Sequence, residues 1–126
     1  MPTKLYDAGL AMRKKVLGAG HVEKAMAAAD QYTQPLQDIV NEFAWGAVWT
    51  RPGLEPKTRS MLTVCMLTAL NRSQELKTHL RGAMNNGVTR EEIVEILLHA
   101  GVYCGFPAAV EGFRVMQEVF KESGKA

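Results

Sequence analysis

Residues Asn71-Arg72-Ser73-Gln74-Glu75-Leu76-Lys77-Thr78-His79 put a cation, a carboxylate and an imidazole into one short stretch. On a helix starting at Ser73, positions 75 and 79 are one turn apart and face the same way. Arg72, at the helix entrance, lies close to that line. A carboxylate beside an imidazole orients it and favours its protonated form, the state that donates a proton. The plainer alternatives are a helix histidine with a structural hydrogen bond and a first-turn glutamate favoured by the helix dipole. No other segment brings three such groups together so closely.

The elements that must position this trio read as helices throughout. Turn-forming residues fall at Gly18-Ala19-Gly20, Pro52-Gly53, Asn85-Asn86-Gly87 and Gly105-Phe106-Pro107. Between them the spacing predicts helices over 4–17 and 21–29. A third is capped by Thr33 and runs to about Trp45, with Leu36, Ile39, Val40 and Phe43 on one face. Trp45 to Gly53 then breaks regularity. Pro56 suits the first turn of a fourth helix reaching about Asn71. Its Leu62–Leu70 centre is apolar on nearly all sides, which predicts a position in the middle of the fold. Ser73 reads as the N-cap of the fifth helix, and Thr89 with Glu92 as a capping box opening the sixth, with Ile93, Ile96, Leu97 and Ala100 inside. A last helix covers Ala108 to about Lys121. No alternating strand pattern competes, so the expectation is an all-α bundle of about six to seven helices.

The chain has 126 residues, which predicts a single domain over 1–126. Its 47% hydrophobic content is generous for a small monomer and suggests apolar surface left for other subunits. Fifteen basic and 13 acidic residues leave a net charge of +2, too balanced and too scattered for a nucleic-acid binder. The apolar run Met61–Leu70 is about half the roughly 20 residues of a membrane span. The stretch Met1 to Asp7 lacks a signal-peptide core, so a cytoplasmic location is expected by default. Cys65 and Cys104 form no CxxC pair and are expected as thiols, and no zinc site is visible. Cys65 reads as buried filler. His21 suits a helix start, and His99 lies near a helix C-terminus.

With these elements placed, the sequence resembles the carboxymuconolactone decarboxylase family, its 4-carboxymuconolactone decarboxylase branch in particular. The resemblance rests on Tyr6-Asp7-Ala8-Gly9, Arg13, Val16-Leu17-Gly18, Ala44-Trp45-Gly46, Trp49-Thr50-Arg51-Pro52-Gly53-Leu54 and Thr58-Arg59-Ser60. It continues through Asn71-Arg72, Glu75-Leu76-Lys77, His79-Leu80-Arg81, Asn85 to Ile93 and Tyr103-Cys104-Gly105. The wider superfamily includes alkyl hydroperoxidase D-like peroxidases with a Cys-x-x-Cys-x-x-x-His pattern. Here Arg72, Glu75 and His79 stand at those positions, so both sulfurs of a thiol peroxidase are missing.

What the resemblance implies is a decarboxylation, without cofactor or metal, of an unsaturated lactone carrying two carboxylates, in aromatic catabolism. It also implies an alkyl hydroperoxidase D-like fold and a ring-like homo-oligomer, a hexamer or trimer, with pockets near subunit contacts. His79 is then the expected proton donor, with Glu75 as its orienting partner or an alternative proton carrier. Anion recognition calls for forked donors, which singles out Arg51, Arg59 and Arg72; Arg81 lies about 200° round the helix from His79 and faces elsewhere. Trp45 and Trp49 wall a pocket or serve as core and subunit-contact residues. Tyr103 is positioned to donate to the lactone oxygen. The rival readings are a relative acting on a different lactone or keto acid, and a non-catalytic oligomeric binding module.

Overall fold

The computed structural model describes residues 3–122. Met1 and Pro2, part of the stretch read for a leader, lie outside them. Among these residues there are seven α-helices and a π-helix and no strand, so the all-α expectation holds. Contacts divide the chain into two compact units, 1–56 and 57–126.

The first unit contains α1 (Lys4–Leu17), α2 (Ala19–Ala27), α3 (Gln34–Ile39) and the π-helix Val40–Trp49. Thr3 caps α1 by accepting from the Tyr6 amide at 3.0 Å, and Gly18, at φ 94°, ends it. Only Gly18 of the Gly18-Ala19-Gly20 trio breaks the chain, since Gly20 already lies in α2. Thr33 occupies the N-cap position of α3 as expected, but its side chain makes no capping hydrogen bond there. The turn is organised by Asp30, whose Oδ1 accepts from the amides of Tyr32 (2.9 Å) and Thr33 (3.0 Å). Nor does regularity end at Trp45. The chain widens to i→i+5 pairing at Val40 and stays helical to Trp49.

Two glycines let α1 press against the π-helix. A Cβ on Gly9 would lie 1.8 Å from the Asn41 carbonyl oxygen, and one on Gly46 would lie 2.2 Å from that of Leu5. Beside this crossing, Gly9, Arg13 and Val16 form the buried stripe of α1.

The second unit contains α4 (Pro56–Ala69), α5 (Ser73–Asn85), α6 (Arg90–Cys104) and α7 (Phe106–Glu122). Its core joins Val64 of α4, Leu76, Leu80 and Ala83 of α5, Val88, Ile93 and Leu97 of α6 and its approach, and Val115, Met116 and Val119 of α7. The capping box forms as expected: Thr89 Oγ1 accepts from the Glu92 amide and Glu92 Oε1 accepts from the Thr89 amide.

Three expectations are corrected here. Helix α4 is not enclosed: it buries Ser60, Val64 and Thr68, while Leu62 and Met66, and Leu70 just past its end, stay exposed at 43, 58 and 60%. Its small side chains form the inner face, and Thr68 meets α7 at Gly112. Ser73 is not the N-cap of α5. Arg72 is, with its carbonyl accepting from the Leu76 amide, while the Ser73 hydroxyl donates to Glu111 Oε2 at 2.6 Å. Helix α7 begins at Phe106 rather than Ala108, because Pro107 fits a first turn, where its missing N–H costs nothing.

Candidate active site

Helix α5 decides what its stripe can do. Asn71, at φ 58°, turns the chain out of α4, and Arg72 then opens α5. Leu76 and Leu80 are buried one turn apart and fix the inner face. Glu75 and His79 form the adjacent stripe, Glu75 exposed and His79 half-buried. The stripe therefore runs from a solvated carboxylate to an imidazole at the edge of the packed face. Burial strengthens the electrostatic effect of whatever lies beside that ring.

The opposite face of α5 is spent on structure. Arg81 donates from Nε and Nη2 to Glu122 at 2.7 to 2.9 Å, and Lys77 pairs with Glu118 and Glu122 at 3.3 Å. These contacts hold α5 on α7 and use up the cation that the helical angle had placed away from His79. At the helix start, Ser73 and Arg114 both reach Glu111, whose carboxyl is held down to about 2 chiefly by the Arg114 guanidinium and then by the Ser73 hydroxyl.

The other expected site residues are distributed over both units. Arg59 is half-buried on the first turns of α4, next to buried Ser60, which accepts from Asn86 Nδ2 at 2.9 Å. Arg72 is exposed at the head of α5. Tyr103 is 77% exposed near the end of α6, its ring 5.0 Å from that of His99. In the first unit, buried Trp45 and half-buried Trp49 stack at 4.6 Å with planes 29° apart, and exposed Arg51 follows them. Both rings lie on the π-helix, four residues apart.

Between α4 and α6 lies a cleft of about 480 Å³, lined by Met61, Leu62, Cys65, Ile96, His99 and the carboxylate-bearing Glu95 among others. None of the expected site residues lines it. Cys65 is half-buried against this cleft rather than core filler, and burial raises its thiol. Neither Cys65 nor Cys104 is disulfide-bonded in this structure. Among the described residues, no three His, Cys, Asp or Glu side chains gather as a metal set would. No helix there is long and apolar enough to cross a membrane.

The carboxymuconolactone decarboxylase family profile matches residues 34–118, from α3 through most of α7. This chain belongs to that family. Over 121 residues it is 44% identical to 4-carboxymuconolactone decarboxylase of Acinetobacter baylyi, covering 96% of this chain and 90% of that one. It is 46% identical over 119 residues to nitrosuccinic acid decarboxylase of Metarhizium robertsii, covering 94% and 83%. An uncharacterized 15.0 kDa protein of Paracoccus denitrificans matches at 28% over 99 residues, covering 77% and 74%.

Family membership sets these side chains in the frame of a decarboxylase, and one further polar residue stands out there. Arg13, on the buried stripe of α1, is only 8% exposed. Its Nη1 donates to Gln37 Oε1 at 2.9 Å and to Asn41 Oδ1 at 2.8 Å, with Met26 Sδ at 3.9 Å. From sequence alone it carries no assigned role. The signal was there in the spacing, since Gly9, Arg13 and Val16 place a cation at i+4 on an otherwise closely packed stripe.

Proposed function

We propose that this protein removes CO2 from 4-carboxymuconolactone to give β-ketoadipate enol-lactone, a step of protocatechuate breakdown, without help from a cofactor. The observation that carries this reading is the 44% identity to the Acinetobacter enzyme, which extends through both units.

The chemistry asks little of the protein beyond placement. Breaking the bond to the departing carboxylate leaves an electron pair on the ring carbon γ to the lactone carbonyl. That pair moves through the adjoining double bond onto the carbonyl oxygen, giving a dienolate. CO2 leaves, and a proton returned to carbon gives the enol-lactone. The electron sink belongs to the substrate. The protein holds the anion, stabilises growing charge on oxygen and supplies the proton.

In this reading His79 gives the proton and Glu75 orients the ring, supported by their shared stripe on α5 and by the half-buried setting of His79. Arg51, Arg59 and Arg72 hold the carboxylates, Trp45 and Trp49 wall the ring, and Tyr103 donates to the lactone oxygen. Exposed apolar residues on α4, α6 and α7, such as Met66, Val102 and Val110, support a ring-like homo-oligomer, a hexamer or trimer. A cytoplasmic setting goes with the catabolic role.

The test is direct. Purified protein mixed with freshly generated 4-carboxymuconolactone, with no metal or cofactor added, releases CO2 well above the spontaneous rate. A folded sample that releases none sinks the proposal.

A second reading is favoured by the 46% identity to the nitrosuccinic acid enzyme. A nitro group next to the departing carboxylate is also a built-in electron sink, so the same three tasks would serve. Offering both acids to the same preparation separates the readings by their ratio of kcat/KM.

A further inference from the structure

Among the described residues of the first unit, Arg13 is the one buried cation, and its hydrogen bonds all go to neutral acceptors. Both strong bonds come from Nη1. Nε is sealed inside the protein without an acceptor, and Nη2 takes no hydrogen bond among the described residues. A guanidinium offers a carboxylate two parallel donors along its Nε–Nη2 edge, and that whole edge is unused. Leaving a buried N–H unpaired and a buried cation without a counter-ion are both unfavourable, and either penalty alone would select against arginine here.

The surroundings hold the group rather than neutralise it. Asn41 is fully buried on the π-helix; its Oδ1 accepts from Arg13 while its Nδ2 points to Met26 Sδ at 3.3 Å. Gln37, on α3, accepts at the same nitrogen. The close packing of Gly9 and Gly46 sets the helix bearing Arg13 against the helix bearing Asn41, so the fork is fixed in orientation. Met26 completes the Nη1 side of this shell, with its sulfur between Arg13 Nη1 and Asn41 Nδ2.

We infer that Arg13 is a carboxylate-binding residue whose Nε–Nη2 edge takes an external carboxylate side-on. One guanidinium supplies one positive charge and two coplanar donors, which suit a carboxylate better than a dianionic phosphate. The carboxylate comes either from a small dicarboxylic acid, in which case Arg13 is a specificity residue and the inference rests on the proposed reaction class, or from an aspartate or glutamate of a second copy of this chain.

The experiment uses the Arg13 Nε–H resonance of the full-length wild-type protein, assigned by its absence in Arg13→Lys. Succinate is the probe and succinamide its neutral control. If a small dicarboxylate is the ligand, saturation with succinate moves the Nε–H signal, succinamide does not, and Arg13→Met binds succinate at least tenfold more weakly by calorimetry. If a second copy supplies the group, succinate leaves the signal in place, dilution of the protein moves it, and Arg13→Met shifts the assembly to smaller species. A resonance unmoved by succinate and by dilution overturns the inference. Because turnover is not read, a protein that fails to decarboxylate the lactone yet shows the succinate shift would sink the proposed reaction and leave the Arg13 assignment standing.

Discussion

At the scale of single residues, the proposed chemistry rests on His79. His79→Ala should lower kcat by roughly 10²–10⁴, the usual worth of a positioned general acid, with KM changing far less. Glu75→Gln should lose less, because it removes the orienting charge and keeps the proton donor. Steady-state CO2 release measures both. Glu111 gives a second prediction. Its folded pKa of about 2 lies below the ordinary 4.5, so its tie to Ser73 and Arg114 is complete above about pH 4.5 and is lost as pH falls towards 2. Nuclear magnetic resonance titration of its side-chain carboxyl should show that low midpoint, and Glu111→Gln should flatten the acid limb of stability over the same range. As to position, Arg72, Glu75 and His79 were legible in the sequence, because helical spacing alone puts them on and beside one stripe of α5. Arg13 was not, because arginine reads as surface unless its stripe is already known to be buried.

At the scale of elements, the crossing of α1 over the π-helix should tolerate no side chain. Gly9→Ala places a methyl 1.8 Å from a backbone oxygen, and backbone cannot swing aside as a side chain can. It should destabilise by about 3 kcal/mol or prevent packing of the first unit. Gly20→Ala, which meets nothing within 4 Å inside α2, should stabilise by about 0.5–1 kcal/mol. Urea unfolding at one fixed protomer concentration compares the two. The capping box at Thr89 and Glu92 was readable because two side chains state it outright. The π-helix was not, since an i→i+5 ladder has no compositional mark and Trp45-Gly46 imitates an ending. Ser73 misled for a simpler reason: its hydroxyl found Glu111, a partner 38 positions away, before it could cap its own helix.

At the scale of the molecule, the apolar surplus in the sequence was legible as a quantity but not as a location. The Leu62–Leu70 run read as enclosed because both its faces are apolar, and only packing shows that the inner face is the one with Val64 and Thr68. Met66, 58% exposed on the outer stripe, is the place to test what covers it. Met66→Glu should keep the helical circular dichroism and reduce the molar mass seen by light scattering. An unchanged mass would show that this stripe lies outside any subunit contact.

The ten-residue π-helix has a consequence for how relatives of this chain can diverge. A wide helical ladder absorbs the loss of a residue by tightening to the ordinary one, at little cost to its own hydrogen bonding. Each residue lost would swing everything after Trp49, Arg51 first, by about 100° around the axis. Removing Ala47 alone should therefore leave a folded, helical protein that handles its anion differently, visible as a raised KM with circular dichroism intact. Insertions and deletions at this point become a steering device, altering aim where a substitution would alter only chemistry.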